Sequence, residues 1–496
     1  MNKLYIDFIN EITKEELYEG LLGYGLFSDK LPPFLSSKGF YEYCKTLKHS
    51  FQDKEKQYIY YESMRNINFP RPLGIPNPMA YQNLCKCLYD NWDNIKKYFE
   101  DKTKGELYKV SRIHIRKRYN YKSLFEMNYN SWKIDGNPEL DLLIGKRYIV
   151  KADISNCFPS IYTHSLPWAL IGKSKAKANR SNKEWFNKID HYSQNMKNGE
   201  THGLIIGPHT SNLLSEIILC SIDNKLNKWE YIRNIDDFTC YVDTFDKAQK
   251  FLIELGEELR KYDLVLNHKK TEIIELPIGA MEKWINKLNT VSLLLRNDKL
   301  DYKGARAYLD LTIDLMKSNK MNSAILNYSI KVLGSLNLTP NAKEYCIKTI
   351  FHWALIYPYL IPILDENVFK VFSANISQIE SITQKILKDG IEHRNYESVS
   401  YAVYFSIKYN FPLENISGNS VIESNHCIFK LLSYIYFENN NDNKSINELK
   451  KHARELNGND DDFNRNWLFV YEVLPASSLK GEWKSMKKNK ISFINI

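Results

Sequence analysis

Three aspartates in two stretches of the sequence have the type and setting to do chemistry. Asp236 and Asp237 are adjacent in YIRNIDDFTCYV, between two short apolar or aromatic runs, which predicts a β-hairpin with both carboxylates at its tip. Asp153 follows Tyr148–Ala152 in RYIVKADISNCF, which predicts a buried strand that leads into an acid. An Asp-Asp pair by itself is more often an ordinary solvated turn. Three acids at the ends of two strands can hold two magnesium ions about 4 Å apart, an arrangement suited to in-line phosphoryl transfer.

Basic residues upstream of these acids are candidates for contact with a nucleotide or a template. Arg71 begins a proline-punctuated stretch, RPLGIPNP, that predicts extended backbone before a helix starts at Met79. In SRIHIRKRYNYKS, Arg116 and Arg118 alternate, so a strand would present them on one face beside interleaved tyrosines. The alternative interpretations are a proline-rich loop that caps a core helix and a solvated surface strand.

Four residues further along the chain are candidates for the same site. Phe158 lies five residues after Asp153, where an aromatic ring can pack under a sugar and exclude a 2′-hydroxyl; the alternative is a buried core phenylalanine. Gly207 and Ser211 belong to a glycine-containing turn and the helix after it, which can bring backbone close to a ligand or simply cap a core helix. Lys270, in LNHKKT, could protonate or neutralise leaving pyrophosphate, or be an exposed turn lysine.

The elements that must position these residues change character near Trp284. Before it, the pattern predicts a helix N-cap at Thr163, a helix over Lys247–Tyr262 and two short strands around Asn267–Lys270. After it, helical segments predominate and suggest a HEAT-like α-solenoid. These segments are Ala305–Met316, Asn322–Leu336, Ala342–Ile356, Val368–Leu387, Tyr396–Tyr409 and Ile428–Phe437. The basic C-terminus, SLKGEWKSMKKNKISFINI, is interpreted as a tail that touches nucleic acid or another subunit.

Composition narrows the class of protein. The chain has 496 residues, 43% of them hydrophobic, which is typical of a globular protein of two or three domains. A formal net charge of +9 suits a nucleic-acid partner. The eight cysteines form no CxxC pair, which predicts reduced thiols in the cytosol and no zinc site. Acids interrupt the first apolar run, and no run is long enough to cross a bilayer, so a signal peptide and a membrane protein are not expected.

The order of the motifs resembles a known family. RPLGIP, ADISNCF, GLIIGPHTS, NIDDF and LNHKKT look like the successive motifs of a reverse-transcriptase fingers–palm domain. IYTHSLPWALIGKSKAKANR, ETHG and the helical C-terminal half are similar to the bacterial abortive-infection (Abi) reverse transcriptases, which belong to the unknown-group, defence-associated reverse transcriptases. The resemblance covers residues from about 65 to 290 through motifs and the remainder only through helical character.

The resemblance implies an α+β fold of two domains. Residues 1–290 would form reverse-transcriptase fingers and palm, and residues 291–496 an all-α HEAT-like domain. It also implies a bacterial, cytoplasmic nucleotidyltransferase of the RNA-directed DNA polymerase type, using two Mg²⁺ ions, with Mn²⁺ as an alternative. Members of the family protect bacteria against phages and form homo-oligomers. Some make DNA from deoxynucleoside triphosphates without a template, primed by a tyrosine of the protein itself, and others copy a non-coding RNA.

Carried over by motif, the resemblance assigns roles to individual residues. Asp153, Asp236 and Asp237 would bind the metals, Phe158 would be the sugar gate and Lys270 the late-motif lysine. Gly207 and Ser211 would lie on the nucleotide side. One departure is Asn234, which stands where many reverse transcriptases have tyrosine and bears on how a primer end packs. The motifs do not identify a priming tyrosine; those near the N-terminus are Tyr5, Tyr18, Tyr24, Tyr41 and Tyr43.

Three functions remain open at this point. The first is a protein-primed, template-independent DNA polymerase in phage defence, with its DNA product joined to a tyrosine. The second is a reverse transcriptase that copies an associated non-coding RNA. The third is a catalytically silent nucleic-acid-binding scaffold. The presence of Asp153, Asp236 and Asp237 favours the two enzymes over the scaffold.

Overall fold

The computed structural model describes most of the chain. The described residues are 4–65, 69–104, 111, 114–115, 125–126, 138–279, 282–291, 295 and 298–495, with backbone alone at 114–115 and 125–126. Arg116 and Arg118 lie outside them, so the expectation that these two arginines share the face of a strand stays a prediction.

The N-terminal part folds into short helices and a two-stranded sheet. Its helices are α1 (Tyr5–Asn10), α2 (Lys14–Tyr18), α3 (Lys38–Thr46), α4 (Pro78–Asp90) and α5 (Trp92–Thr103), with a π-helical turn at Glu19–Gly23. Strands β1 (Ile59–Met64) and β2 (Pro70–Ile75) pair antiparallel, and a two-residue pair follows at β3 (His114–Ile115) and β4 (Phe125–Glu126). The extended backbone predicted from Arg71 is confirmed as β2. Asn77 then caps α4 by accepting from the backbone N–H groups of Met79 and Ala80.

A four-stranded antiparallel sheet carries the acids. Its strands are β5 (Tyr148–Asp153), β6 (Tyr231–Asn234), β7 (Asp237–Val242) and β8 (Glu272–Glu275), in the order β6-β7-β5-β8. Because side chains alternate between the two faces of a strand, Val150, Phe238 and Cys240 point into the main core, and Asp153 and Asp237 point to the other face. The predicted hairpin with its carboxylates at the tip is confirmed.

Helices precede, separate and follow the strands of this sheet. They are α6 (Pro138–Leu143), α7 (Cys157–Ser160), α8 (Ser165–Ile171), α9 (Lys173–Ala178), α10 (Trp185–Asn195), α11 (His209–Asp223) and α12 (Phe245–Arg260). Phe251 of α12 packs on Tyr231 of β6, with ring centroids 5.8 Å apart. Asp153 and Asp237 lie on the other face, where Leu142 of α6 packs on Ile149, Ile232 and Tyr241 toward the opposite end of the strands.

The C-terminal half is helical, as predicted. It contains α13 (Lys283–Asn289), α14 (Tyr302–Ser318), α15 (Ser323–Gly334), α16 (Pro340–Ile356), α17 (Lys370–Phe372), α18 (Ile376–Glu392), α19 (Tyr396–Tyr409), α20 (Gly418–Glu423), α21 (Cys427–Asn439), α22 (Asn443–Leu456), α23 (Asp460–Arg465), α24 (Trp467–Val473) and α25 (Gly481–Lys488). A 3₁₀ turn at Pro358–Ile363 and a π-helical turn at Asp365–Phe369 join α16 to α17. With the strands of the first half, this gives an α+β chain with a largely helical C-terminal region.

The two halves share one apolar core, because the chain end returns to the beginning. Phe493 is fully buried, with its ring centroid 5.6 Å from that of Phe40. Leu35 and Ile494 form a β-bridge, and the Asn495 N–H donates to the Phe34 carbonyl at 2.8 Å. The prediction that the C-terminus is a tail touching nucleic acid or another subunit is therefore wrong: its apolar end fills a space in its own N-terminal region.

Three local predictions are also wrong. Val368–Leu387 is not one helix, because Ser373 adopts a left-handed backbone (φ 58°) and Asn375 caps a new helix with Gln378. Thr163 does not cap α8; it is buried and its N–H donates to the Thr201 carbonyl. Of the two strands expected around Asn267–Lys270, the first is a single β-bridge at Leu266.

The eight cysteines are all buried with free thiols. Across the described helices, none combines the length and the apolar character needed to cross a membrane.

Candidate active site

The hairpin places two acids and a strained turn next to Asp153. Asp237 lies directly opposite Asp153 in the β5–β7 pairing, and Ile235 with Asp236 forms the two-residue turn. The Ile154 N–H donates to the Asp236 carbonyl at 3.2 Å, which ties the turn to the end of β5. Ile235 has a φ of 57°, a conformation that a β-branched residue rarely adopts and that costs of order 1–3 kcal/mol. The surrounding contacts must hold this turn in place.

Asp153 is buried and its carboxylate is fully engaged. Its Oδ2 accepts from Lys270 Nζ at 2.7 Å and its Oδ1 from Asn267 Nδ2 at 3.0 Å, and it is 5% exposed. The Asn267 N–H also donates to the Asp153 carbonyl at 2.7 Å. The structure therefore brings Lys270 to the acids, as the sequence predicts. Asn267 was missed, although it stands beside the lysines in LNHKKT.

Desolvation and neighbouring acids raise the pKa of Asp236 and of Asp237. The pKa of Asp236 lies above its usual value, first because burial removes water and then because Asp153 is near, although Lys270 and Arg71 act in the opposite direction. Asp237 is exposed at the residue level, yet its carboxyl group loses water and hydrogen bonds to Asp153. Desolvation, that hydrogen bond and the charge of Asp236 together raise its pKa to about 7. The site is short of positive charge.

This donor set fits divalent cations. Hard oxygen ligands are those that Mg²⁺ prefers, and a cation would relieve the repulsion between the carboxylates. Within the described part of the chain, no three His, Cys, Asp or Glu side chains are already grouped as a metal site. Here Lys270 and Asn267 each contact one oxygen of Asp153, so Lys270 would compete with a metal ion for Oδ2.

The other predicted residues surround this centre in different ways. Arg71 lies near enough to Asp236 to lower its pKa. Gly207 has a φ of 129°, and a Cβ there would lie 3.2 Å from the Gly74 carbonyl, so only glycine lets this loop pack on β2. That contact joins the strand that carries Arg71 to the loop before α11.

Phe158 and Ser211 lie beside the same loop. Phe158 is partly exposed, and its carbonyl accepts from the Leu204 N–H at 2.8 Å. The Ser211 hydroxyl is buried and donates to the Ile205 carbonyl at 2.6 Å, so Ser211 shapes the loop rather than facing the cleft. α11 begins two residues earlier than expected, at His209.

A second charged cluster lies behind the hairpin, on the helical face of the sheet. Arg233 is fully buried and forms ion pairs with Glu216 at 3.0 Å and with Asp223 at 2.6 Å, both on α11. Its Nη1 also donates to the Ile235 carbonyl at 2.8 Å. The cluster thus anchors the strained turn to α11. An arginine inside the otherwise apolar run YIRNI is the signal from which it could have been found.

Comparison with known proteins agrees with this geometry. Residues 97–323 match the family described as "Reverse transcriptase (RNA-dependent DNA polymerase)", a range that contains all three acids and Lys270. The chain therefore contains a stretch that matches a reverse transcriptase domain, the domain of the RNA-directed DNA polymerase type of nucleotidyltransferase. No curated protein matches the chain in sequence.

Among solved structures, the chain is similar to telomerase of Candida tropicalis. The apo telomerase is 15% identical with a TM-score of 0.32, over 74% of this chain and 72% of that one. Apo telomerase truncated from its C-terminal domain is 14% identical with a TM-score of 0.30, over 48% of this chain and 54% of that one, so this chain spans about half its length. The complex with a TWJ fragment of telomeric RNA is 12% identical, with a TM-score of 0.30, over 74% and 67%. Superpositions at this level define neither fold nor function.

Proposed function

We propose that this enzyme adds deoxynucleotides to a DNA strand, with Asp153, Asp236 and Asp237 as ligands of two Mg²⁺ ions. The observation that carries the proposal is the position of the acids. Asp153 and Asp237 face each other across β5 and β7, on the face of the sheet opposite the main core, and Asp236 occupies the adjoining turn. The pKa values of Asp236 and Asp237, raised by loss of water around their carboxyl groups, favour a cation at this place.

Each residue would have a distinct part in the reaction. Bound Mg²⁺ would activate the attacking hydroxyl and offset the charge of the triphosphate. Arg71, on the Asp236 side, would hold the triphosphate as a fixed cation. Lys270 would leave Asp153 and give its charge or its proton to the departing pyrophosphate. Release of Lys270 from Asp153 links nucleotide entry to metal binding.

The test of the metal assignment is the double substitution Asp236→Ala with Asp237→Ala. Losing the clamp should lower magnesium-dependent incorporation by more than about a hundredfold, since it removes several kcal/mol of transition-state stabilisation. The matched control is Asp243→Ala with Asp246→Ala, which removes a partly exposed and an exposed acid beyond the other end of β7. A folded Asp236/Asp237 variant that still incorporates nucleotides would overturn the assignment.

Phe158 is proposed to discriminate the sugar. It is the partly exposed aromatic residue that follows Asp153 and joins the Leu204 loop. Phe158→Ala should raise ribonucleotide incorporation relative to deoxyribonucleotide incorporation, by several-fold, because a smaller side chain leaves room for a 2′-hydroxyl. The ratio of the two kcat/KM values measures this. An unchanged ratio would leave Phe158 as a core residue only.

The biological role we propose is defence against phage by a protein-primed, template-independent synthesis, in a homo-oligomer. Support comes from the likeness of the motifs to Abi reverse transcriptases. Among the five N-terminal tyrosines, Tyr5, Tyr41 and Tyr43 are buried, whereas Tyr18 and Tyr24 are partly exposed and are the better candidates for a primer. The second candidate function is the copying of an associated non-coding RNA, which the positive net charge also suits.

Protein priming has a direct test. Purified protein with magnesium, labelled deoxynucleotides and no added nucleic acid should yield label that migrates with protein in a denaturing gel. The label should survive ribonuclease and be released as DNA by protease. If all label migrates as free DNA after denaturation alone, the RNA-templated function takes precedence, and Tyr18→Phe and Tyr24→Phe should then leave synthesis unchanged.

A further inference from the structure

A lysine-lined cavity lies at the far end of α11 from the nucleotide-side loop. It measures about 860 Å³ and is bounded by α5, the α8–α9 region, the end of α11 and the end of α12. Six lysines line it: Lys97, Lys102, Lys173, Lys175, Lys225 and Lys261. The acid on its lining is Asp101. Because α11 has fifteen residues, about 20 Å of helix separates this cavity from the Gly207 loop.

These lysines have few acidic partners within the protein. In the described part of the chain, the ion pairs include Lys261, which contacts Glu258 at 2.6 Å, but none of the other five. Lys102 is half-buried, and its pKa is lowered by burial and by the nearby charge of Lys225. Gathering like charges around a partly desolvated ammonium group is unfavourable unless an anion joins them.

Aromatic surface accompanies the charge. Trp168, Trp185 and Tyr262 line the cavity and are each partly exposed. Lys173 lies over the Trp168 ring, with its Nζ 3.9 Å from the ring centroid. Lysines beside exposed aromatic faces suit a strand whose phosphates meet charge and whose bases stack. The bases of a duplex are already stacked on one another, so a duplex would contact the lysines but not the aromatic rings.

The basic surface continues beyond the cavity. Trp168 also lines a second cavity of about 510 Å³, to which Lys177 and Arg180 contribute. The short helix α9 (Lys173–Ala178) lies between the two and presents lysines to both. In the second cavity, His164 and Asp190 contact each other at 2.5 Å, so that acid is already engaged. The two cavities share Trp168 and adjoin across α9, and together they are called the basic track.

We propose that this track binds single-stranded nucleic acid at a site separate from the catalytic acids. The ligand chemistry is a run of phosphates with accessible bases, supplied by either RNA or DNA. The inference rests on the proposed polymerase function in one respect, because a polymerase has single strands as template or product. Binding at this site needs neither the metal ions nor the catalytic acids. A strand held here would keep template or product attached while the catalytic cleft turns over.

The experiment measures the fluorescence anisotropy of labelled twelve-nucleotide oligo(dT) and oligo(rU), each over a range of salt concentrations. It uses the full chain with Asp236→Asn and Asp237→Asn, so that turnover does not intervene. Adding Lys175→Glu with Lys225→Glu, both exposed, should weaken binding at least tenfold. The slope of log Kd against log salt should fall by about 1.4, the value for two lost phosphate contacts on a single strand.

The matched control is Lys303→Glu with Lys331→Glu, which makes the same change in net charge on exposed lysines of the helical half. It should leave affinity within twofold. Photocrosslinking of an iodouridine-containing strand, followed by peptide mapping, should place adducts within residues 97–102 or 168–185. Equal loss in both lysine variants, or adducts confined to the catalytic cleft, would overturn the proposal. Loss of incorporation in the Asp236/Asp237 variant with retained strand binding separates this inference from the proposed function.

Discussion

Two clusters of charged residues lie on opposite faces of the same hairpin. They differ in whether their charges are paired within the protein. Behind the hairpin, Arg233 contacts two carboxylates of α11 in a fully buried network. In front of it, Asp153, Asp236 and Asp237 gather around Lys270. The rear cluster has its charges paired within the protein. Burial by itself would lower the pKa of Arg233, but Asp223 and Glu216 outweigh desolvation and raise it.

The difference separates a structural use of acids from a functional one. In the front cluster, desolvation and neighbouring acids raise the pKa of Asp236 and of Asp237, so their negative charge is left for a bound cation to balance. The rear network holds the Ile235 carbonyl and so fixes the strained turn from which Asp236 projects. The ion-paired cluster around Arg233 therefore positions Asp236, whose own charge is not paired in the same way.

The largest effect should come from breaking the rear cluster. Arg233→Met leaves Glu216 and Asp223 buried without a cation, and should lower the free energy of unfolding by about 3–5 kcal/mol. Urea denaturation measures it. The control is Arg233→Met combined with Glu216→Gln and Asp223→Asn, which removes the uncompensated charges and should restore much of the loss. Equal instability in the single and triple variants would show that packing, not charge, dominates.

Glu397 offers a third arrangement, a buried acid between the two halves of the chain. Its Oε2 accepts from the Met64 N–H at 2.5 Å, and desolvation raises its pKa to about 7. A carboxyl whose folded pKa is raised contributes most at low pH, and the contribution is lost as the pH rises from about 4.5 to about 7. The loss should reach about 2–3 kcal/mol.

Glu397→Gln keeps an acceptor for the Met64 N–H but cannot ionise. The free energy of unfolding of the Glu397→Gln variant, measured relative to that of the unaltered protein, should therefore be about 2–3 kcal/mol higher at pH 8 than at pH 5. Urea denaturation at several pH values measures the difference between the two proteins. Parallel stability curves would show that Glu397 is already ionised in the folded state.

The smallest effect should come from the front cluster. Asp236→Asn removes one of three mutually repelling acids, so in EDTA it should raise the free energy of unfolding by about 1 kcal/mol. Magnesium should then stabilise the unaltered protein more than the variant. Thermal denaturation with and without the ion distinguishes them. Destabilisation by Asp236→Asn in EDTA would mean that the charge of Asp236 is already balanced within the protein, as the charge of Arg233 is.

Sequence reasoning succeeded where chemistry and local pattern coincide. The apolar runs around Asp236 and Asp237 specify a hairpin, and the order of the motifs alone predicts that Lys270 belongs to the same site as Asp153. It failed where a long-range contact decides. Nothing in the sequence near Phe493 indicates that its partner is Phe40. Asn267 and Arg233 are intermediate cases, since their positions in the motifs are visible but their partners are set by folding.

Local backbone preferences also had limits. The apolar spacing over Val368–Leu387 is helical throughout, but Asn375 and Gln378 form a capping box that starts a new helix. The HEAT-like description predicts helices correctly and does not predict where each one ends. Helix boundaries depend on capping residues and on single residues with a left-handed backbone, such as Ser373. The effect of one such residue exceeds the average helical preference of the residues around it.

The return of the chain end to its beginning has a consequence for synthesis on the ribosome. The Phe34 carbonyl accepts a hydrogen bond from the Asn495 N–H. Phe34 is therefore synthesised 461 residues before its partner. At ordinary elongation rates of about 5–20 residues per second, the N-terminal segment waits roughly 20–90 s for its last partner. Throughout that interval Phe27 and Phe40 lack the ring of Phe493. In a nascent chain of this protein, the N-terminal segment is therefore accessible to chaperones and to misassociation until residues 493–495 have been made.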